Sequence, residues 1–192
     1  MKVLTTIGLL LLMSMSGWAQ TAAPVFRGIG NAVVDSAGDL VVFDSGRSSS
    51  GVTLPGVPRS FVPPETRITI QLPGSGAPQT VTYNAGVQVL GTGSSAIYAI
   101  ATAYTVSGTT VTTTRTLIAI KAGQALPPAL SGFPSFALNS AVETRLGPSD
   151  YVALLSETAP TAGSTSTTPV RTAQVVHFNG SSFDVISTST LP

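Results

Sequence analysis

Leu40-Val41-Val42-Phe43 is the first of three short apolar runs that decide the fold of this chain. The other two runs are residues 96–101 (AIYAIA) and residues 151–155 (YVALL). Each run follows a short strand-like segment and a turn that contains Gly, Ser or Asp. Short apolar runs with β-branched and aromatic residues, bounded by turn residues, are typical of buried β-strands. The three runs therefore predict three buried strands in similar surroundings.

The segments that follow each run repeat as well. A strand-like segment with an arginine near its start comes next, at residues 66–72, 114–120 and 170–178. A turn and a fourth strand follow, at residues 79–83, 135–139 and 183–187. The sequence thus predicts an all-β protein of three four-stranded antiparallel units, with a period of roughly 50–57 residues. We place these units at residues 25–86, 87–141 and 142–192 of a single β-repeat domain, residues 20–192.

The first unit also carries a short family resemblance. Residues 34–46 (VDSAGDLVVFDSG) follow the order Asp-x-x-Gly-Asp, an apolar strand, then Asp-x-Gly. This order resembles the start of an NHL-type β-propeller repeat, over about a dozen residues of one unit. The resemblance implies that the three units are propeller blades.

The number of units does not decide how the fold closes. Closed propellers typically have four to eight blades, and an open array leaves strand edges exposed. Two copies of the chain could close a six-bladed ring, or the chain could be part of a longer propeller. The strands could instead form a β-sandwich, because periodicity alone does not give the strand order.

The N-terminal residues predict export. Lys2 precedes an apolar stretch, residues 3–13, that is shorter than the ~20 residues needed to span a bilayer. Gly17 and Ala19 supply the small residues of a signal-peptidase site, so we expect a signal peptide at residues 1–19 with cleavage after Ala19. The expected location is secreted, periplasmic or at the cell surface. No later segment predicts a membrane span in the mature chain.

The charge balance narrows the class of partner. The sequence has nine basic and eight acidic residues, and loss of Lys2 with the signal peptide leaves eight of each. A neutral mature chain gives no electrostatic reason to bind nucleic acid. The chain has no cysteine, so its stability outside the cell rests on packing and strand pairing.

The longest irregular stretches predict a binding face. Residues 45–65 and 158–169 fall between the second and third strands of their units, and residues 107–113 form a shorter link at the same place. Loops at one position of successive repeats emerge on one face, which often binds a partner. The candidate binding residues around this face are Arg47, Arg59, Arg67, Arg115 and Arg171. The recurring strand-start arginines could equally pair with acids of neighbouring units.

The residues suited to catalysis or metal binding are few. His177 is the only histidine and lies in an apolar strand, and no Gly-x-Ser-x-Gly sequence occurs. We therefore assign no catalytic residue and expect no cofactor. The exception is calcium, because Asp35, Asp39 and Asp44 could bring carboxylate oxygens together.

These observations favour an exported, non-enzymatic β-repeat protein that binds or assembles at the cell exterior. Its partner would be a protein or a glycan, and the protein could be a homo-oligomer. One alternative is a secreted propeller-type hydrolase or lactonase. Another is a structural subunit that associates through its strand edges.

Overall fold

The computed structural model describes residues 29–48, 51–56, 60–72, 77–138, 141–160 and 169–191. The predicted signal peptide lies outside these residues. Apart from one 3-10 turn, Leu130–Gly132, the described elements are all β-strands. Within the described residues, no helix is long and apolar enough to cross a membrane.

The described strands form three four-stranded antiparallel sheets in which consecutive strands are neighbours. Unit 1 contains β1 (Ile29–Val34), β2 (Leu40–Arg47), β3 (Pro64–Gln71) and β4 (Gln79–Tyr83). Unit 2 contains β5 (Ala85–Thr92), β6 (Ala96–Ser107), β7 (Thr110–Lys121) and β8 (Ser135–Ala137). Unit 3 contains β9 (Ala141–Leu146), β10 (Tyr151–Thr158), β11 (Val170–Phe178) and β12 (Phe183–Leu191). The prediction of an all-β fold made of three four-stranded antiparallel units is confirmed.

The strand bounds differ from the sequence prediction at several element ends. Ala85 and Gly86 begin β5, so the second sheet starts before residue 87. β6 continues to Ser107 and β12 to Leu191, well beyond the predicted ends at residues 101 and 187. These differences lie at element ends, where the apolar pattern is weakest.

Unit 2 is packed on both faces. In β6, Ile97 joins a buried cluster with Val41 of unit 1. The next residue, Tyr98, joins a second buried cluster with Val152 of unit 3. Because successive side chains of a strand point to opposite faces, the unbroken apolar run of β6 fills both clusters. Units 1 and 3 therefore pack on opposite faces of unit 2.

The strand registers make the packing comparable from unit to unit. In each unit, the last residue of the first strand pairs across the turn with a residue at the start of the second strand. These equivalent residues are Leu40, Ile97 and Val152. We call the face that meets the following unit the forward face, and the face that meets the preceding unit the backward face. Ile97 and Val152 both lie on backward faces, so the two junctions between units use equivalent faces.

This arrangement is a face-to-face stack of blade-like units. A β-sandwich would place two sheets around one core, whereas the described residues form three sheets around two clusters. The stack leaves two outer faces, which are the backward face of unit 1 and the forward face of unit 3.

Candidate functional site

Two edges of the stack carry the connections between strands. The links from the second to the third strand of each unit leave the sheets at one edge, which we call the loop edge. The remaining hairpin turns within each unit lie at the opposite edge, which we call the turn edge. This division follows from the antiparallel strand order in all three units.

The β2–β3 link at the loop edge is folded onto the protein. The backbone N–H of Ser48 donates to the carbonyl of Pro63 at 2.9 Å, and Val52 and Phe61 exchange two backbone hydrogen bonds of 2.8 Å. Leu54 in the same link is buried. These contacts fix the described part of the link against the sheets, so it is not a solvated linker.

An aromatic pair joins this link to unit 2. The rings of Phe61 and Tyr104 lie 5.5 Å apart and are tilted by 56°. Tyr104 belongs to β6, which with β7 forms a long hairpin that turns at residues 108–109. The tip of this hairpin is rich in exposed threonine. The loop edge thus presents two half-buried rings beside a row of hydroxyl groups.

The candidate arginines do not form one cluster. Arg67 donates from Nε and Nη2 to Asp44 Oδ2, at 3.0 and 2.8 Å, and is partly buried. Arg171 lies 3.4 Å from Glu157 in an exposed pair. Arg115 is paired in register with Thr102, and Arg47 is exposed at the loop edge. Arg59 lies outside the described residues.

The registers also separate these arginines by sheet face. Arg115 and Arg171 occupy equivalent positions and lie on forward faces. Arg67 stands one residue further along its strand, opposite Asp44. A shift of one residue moves a side chain to the other face, so Arg67 lies on the backward face of unit 1. A ligand site shared by the three strand-start arginines is therefore not formed within one chain.

Two of the three candidate calcium ligands lie together at the turn edge. Asp35 Oδ1 accepts the N–H groups of Ala37 and Asp39, both at 2.9 Å. Asp39 Oδ2 accepts the N–H of Gly123 in unit 2, at 2.9 Å. Asp44 is five residues from Asp39 along β2, about 16 Å at 3.3 Å per residue, and pairs with Arg67. In the described part of the chain, no three His, Asp or Glu side chains come close enough to hold a metal ion.

The electrostatics of Asp39 follow from its burial. Asp39 is fully buried, and its Oδ1 has no hydrogen-bond donor among the described residues. Burial and the nearby charge of Asp35 raise the pKa of Asp39, and the N–H of Gly123 lowers it by less. The carboxyl pair therefore joins unit 1 to unit 2 at an electrostatic cost.

A second aspartate at the turn edge, Asp150, is not among the candidate residues of the sequence analysis. Asp150 accepts hydrogen bonds from the backbone and hydroxyl groups of both Ser94 and Ser95 in unit 2. It has a left-handed backbone, φ 62°, which Asp tolerates better than most residues. Gly93 is required beside it, because a Cβ there would overlap the Asp150 carboxylate and the Tyr98 ring.

The hydrogen bonds determine the ionisation of Asp150. Burial alone would raise its pKa, but the bonds from Ser94 and Ser95 outweigh burial, so the pKa is lowered from 3.8. Asp150 is thus a buried carboxylate held in its charged form by four donors from the neighbouring unit.

His177 stacks on Tyr151, with ring centroids 4.5 Å apart. Both residues lie on the forward face of unit 3. Tyr151 is 38% exposed, whereas its equivalents Asp39 and Ala96 are fully buried in the junctions of units 1 and 2. Tyr151 is therefore an exposed aromatic side chain at a position that the other two units bury.

A shallow pocket of about 350 Å³ lies at the turn edge between units 2 and 3. Its lining includes Lys121, Gln124, Phe133 and Ser181. The described residues give Lys121 no acidic partner. All lining residues but Ser181 belong to residues 119–134 of unit 2, a segment that the sequence analysis did not single out as a candidate site.

Comparison with known proteins gives no relative: no family model, no curated protein and no solved structure matches this chain.

Proposed function

We propose that this chain is an exported, non-enzymatic β-repeat protein that binds a protein or glycan at the cell exterior through its loop edge. Export is supported by the charged, apolar and small-residue order of residues 1–19. The neutral charge expected of the mature chain and the absence of cysteine are compatible with that location.

The observation that carries the proposal is the aromatic pair Phe61–Tyr104 at the loop edge. The Val52–Phe61 bridge holds one ring, and the central strand β6 holds the other. Tyrosine and phenylalanine are enriched at binding surfaces because rigid rings bury large areas at small entropic cost. The neighbouring threonine hydroxyls supply hydrogen-bonding groups to a polar ligand.

The experiment measures retention of the fluorescently labelled mature chain on the surface of the cells that produce it. We expect Tyr104→Ala and Phe61→Ala each to reduce retention by about tenfold, the loss expected for a binding residue worth ~1.4 kcal/mol. Val185→Ala, which removes an exposed apolar side chain from β12, is the matched control and should bind like the original.

Pretreatment of the cells then identifies the ligand class. Loss of retention after periodate oxidation indicates a glycan, and loss after mild proteolysis indicates a protein. The proposal is contradicted if the chain is not retained, or if Tyr104→Ala and Val185→Ala are retained equally.

A further inference from the structure

The two junctions inside the chain define what a forward face requires. In unit 1 the paired residues Val41 and Ile70 are buried against unit 2. The equivalent pair in unit 2, Tyr98 and Ala119, is buried against unit 3. A forward face in this protein is therefore apolar at these positions and covered by the next unit.

Unit 3 keeps the same apolar positions, but they are not buried. The equivalent pair is Ala153 and Val175, and the pair two residues further along is Leu155 and Ala173. Their counterparts at this second position are all buried: Phe43 and Ile68 in unit 1, and Ile100 and Leu117 in unit 2. The strands of a sheet that faces water normally alternate apolar and polar residues. The forward face of unit 3 therefore has the composition of a junction although no further sheet of the described residues covers it.

The protein itself shows what covers a forward face. At both junctions the covering surface is the backward face of a unit. The backward face that neither junction uses is that of unit 1, where Val34 and Leu40 are 59% and 45% exposed. Val42 lies beside them, half buried.

Four polar side chains of that backward face already form pairs. Asp44 binds Arg67, and the hydroxyls of Thr69 and Thr80 lie 3.1 Å apart. Groups that are satisfied within their own face can be covered without leaving an unpaired charge, which is the main cost of burying them.

Four charged residues of the forward face of unit 3 also form pairs, Arg145 with Glu143 and Arg171 with Glu157. A fifth, Asp184, lies opposite His177 on the same face and accepts a hydrogen bond from Asn179. The paired charges can be covered without leaving an unpaired charge at their positions.

We propose that the forward face of unit 3 docks on the backward face of unit 1 in a second copy of this chain. The contact is head-to-tail, like the junctions within the chain, and two copies form two such contacts. The result is a closed ring of six blade-like units, within the four to eight that closed propellers contain. The ring is independent of the ligand proposed for the loop edge.

The test is the mass of the purified mature chain by sedimentation equilibrium, with three substitutions to glutamate. We expect the original chain to have the mass of two copies. Ala153→Glu on the forward face of unit 3 and Leu40→Glu on the backward face of unit 1 should each weaken association by about 30-fold or more. Ile186→Glu, at an equally exposed apolar site on the edge strand β12, is the control and should remain at two copies.

An equal mixture of Ala153→Glu and Leu40→Glu chains makes the test specific for head-to-tail docking. Each variant keeps the face that the other lacks, so the mixture should recover a two-copy species through one intact contact. Far-UV circular dichroism and melting confirm that each variant is folded, and Tyr151→Ser and Val42→Ser serve as milder second variants. The proposal is overturned if the original chain has the mass of one copy at all concentrations. It is also overturned if Leu40→Glu leaves association unchanged, which indicates a symmetric contact, or if Ile186→Glu abolishes it, which indicates strand-edge association.

Discussion

Units 1 and 3 both attach to unit 2 with an aspartate at the turn edge, but the two attachments differ in their electrostatics. Asp150 of unit 3 receives hydrogen bonds from Ser94 and Ser95, and its pKa is lowered. Asp39 of unit 1 receives one N–H from Gly123 and faces the carboxylate of Asp35, and its pKa is raised. The comparison indicates that a buried carboxylate stabilises a junction only where hydrogen-bond donors to it outnumber the neighbouring acidic groups.

The largest expected effect is at the junction between units 2 and 3. Asp150→Asn keeps a side chain that tolerates the left-handed backbone but removes the charge and one acceptor. Because hydrogen bonds to a charged group contribute about 1.5–3 kcal/mol, we expect the free energy of unfolding to fall by about 2 kcal/mol. Urea denaturation at neutral pH measures the change. Glu143→Gln, at an exposed site in the same unit, should change it by less than ~0.5 kcal/mol.

The direction of the pKa shift of Asp150 determines how its contribution to stability depends on pH. A lowered pKa in the folded state stabilises the protein above the unfolded value of about 3.8. This contribution is lost as the pH falls through the folded pKa. An Asp150→Asn chain that is as stable as the original at neutral pH would contradict the role of Ser94 and Ser95 as donors to a charged group.

A smaller effect of opposite sign is expected at the junction between units 1 and 2. The raised pKa of Asp39 means that the folded state holds a proton more tightly than the unfolded state, so this residue stabilises the fold at low pH. That contribution is lost as the pH rises from about 3.8 through the folded pKa. Asp39→Asn removes the repulsion from Asp35 and keeps an acceptor for Gly123, so it should raise the melting temperature at pH 7.

The pH series is the check on Asp39. The gain in melting temperature from Asp39→Asn should shrink as the pH is lowered from 7 towards the unfolded value of about 3.8, because the original side chain takes up its own proton as the pH falls. A gain that is constant across this range, or a loss at pH 7, would show that the charge of Asp39 is not the cause.

The sequence predicts the fold of this protein better than its site. The runs at 40–43, 96–101 and 151–155 place the second strand of every unit. The two clusters bury the whole run of unit 2 but only alternate residues of the runs of units 1 and 3. The order of elements within a unit repeats, which predicts three four-stranded units, but the strand order that excludes a β-sandwich is seen only in the structure.

The junction contacts could not be predicted in the same way. Asp150 binds Ser94 and Ser95 across more than fifty residues of chain, and no local spacing records that contact. The set Asp35, Asp39 and Asp44 illustrates the reverse problem. These residues are close in sequence, but the extended strand β2 carries Asp44 away from the other two. The strand-start arginines look equivalent in sequence, but a one-residue offset in register sends Arg67 to the opposite face.

The central claim is that the outer faces of units 1 and 3 meet between two copies of the chain in the same way as neighbouring units meet within it. Thiol cross-linking tests it directly, because the chain has no cysteine of its own. Leu40→Cys and Ala153→Cys chains are prepared separately, mixed, and treated with a short bifunctional maleimide. Head-to-tail docking predicts a cross-linked two-copy product in the mixture and none from either variant alone. Cross-linking of Leu40→Cys with itself, or no product in the mixture, would contradict it.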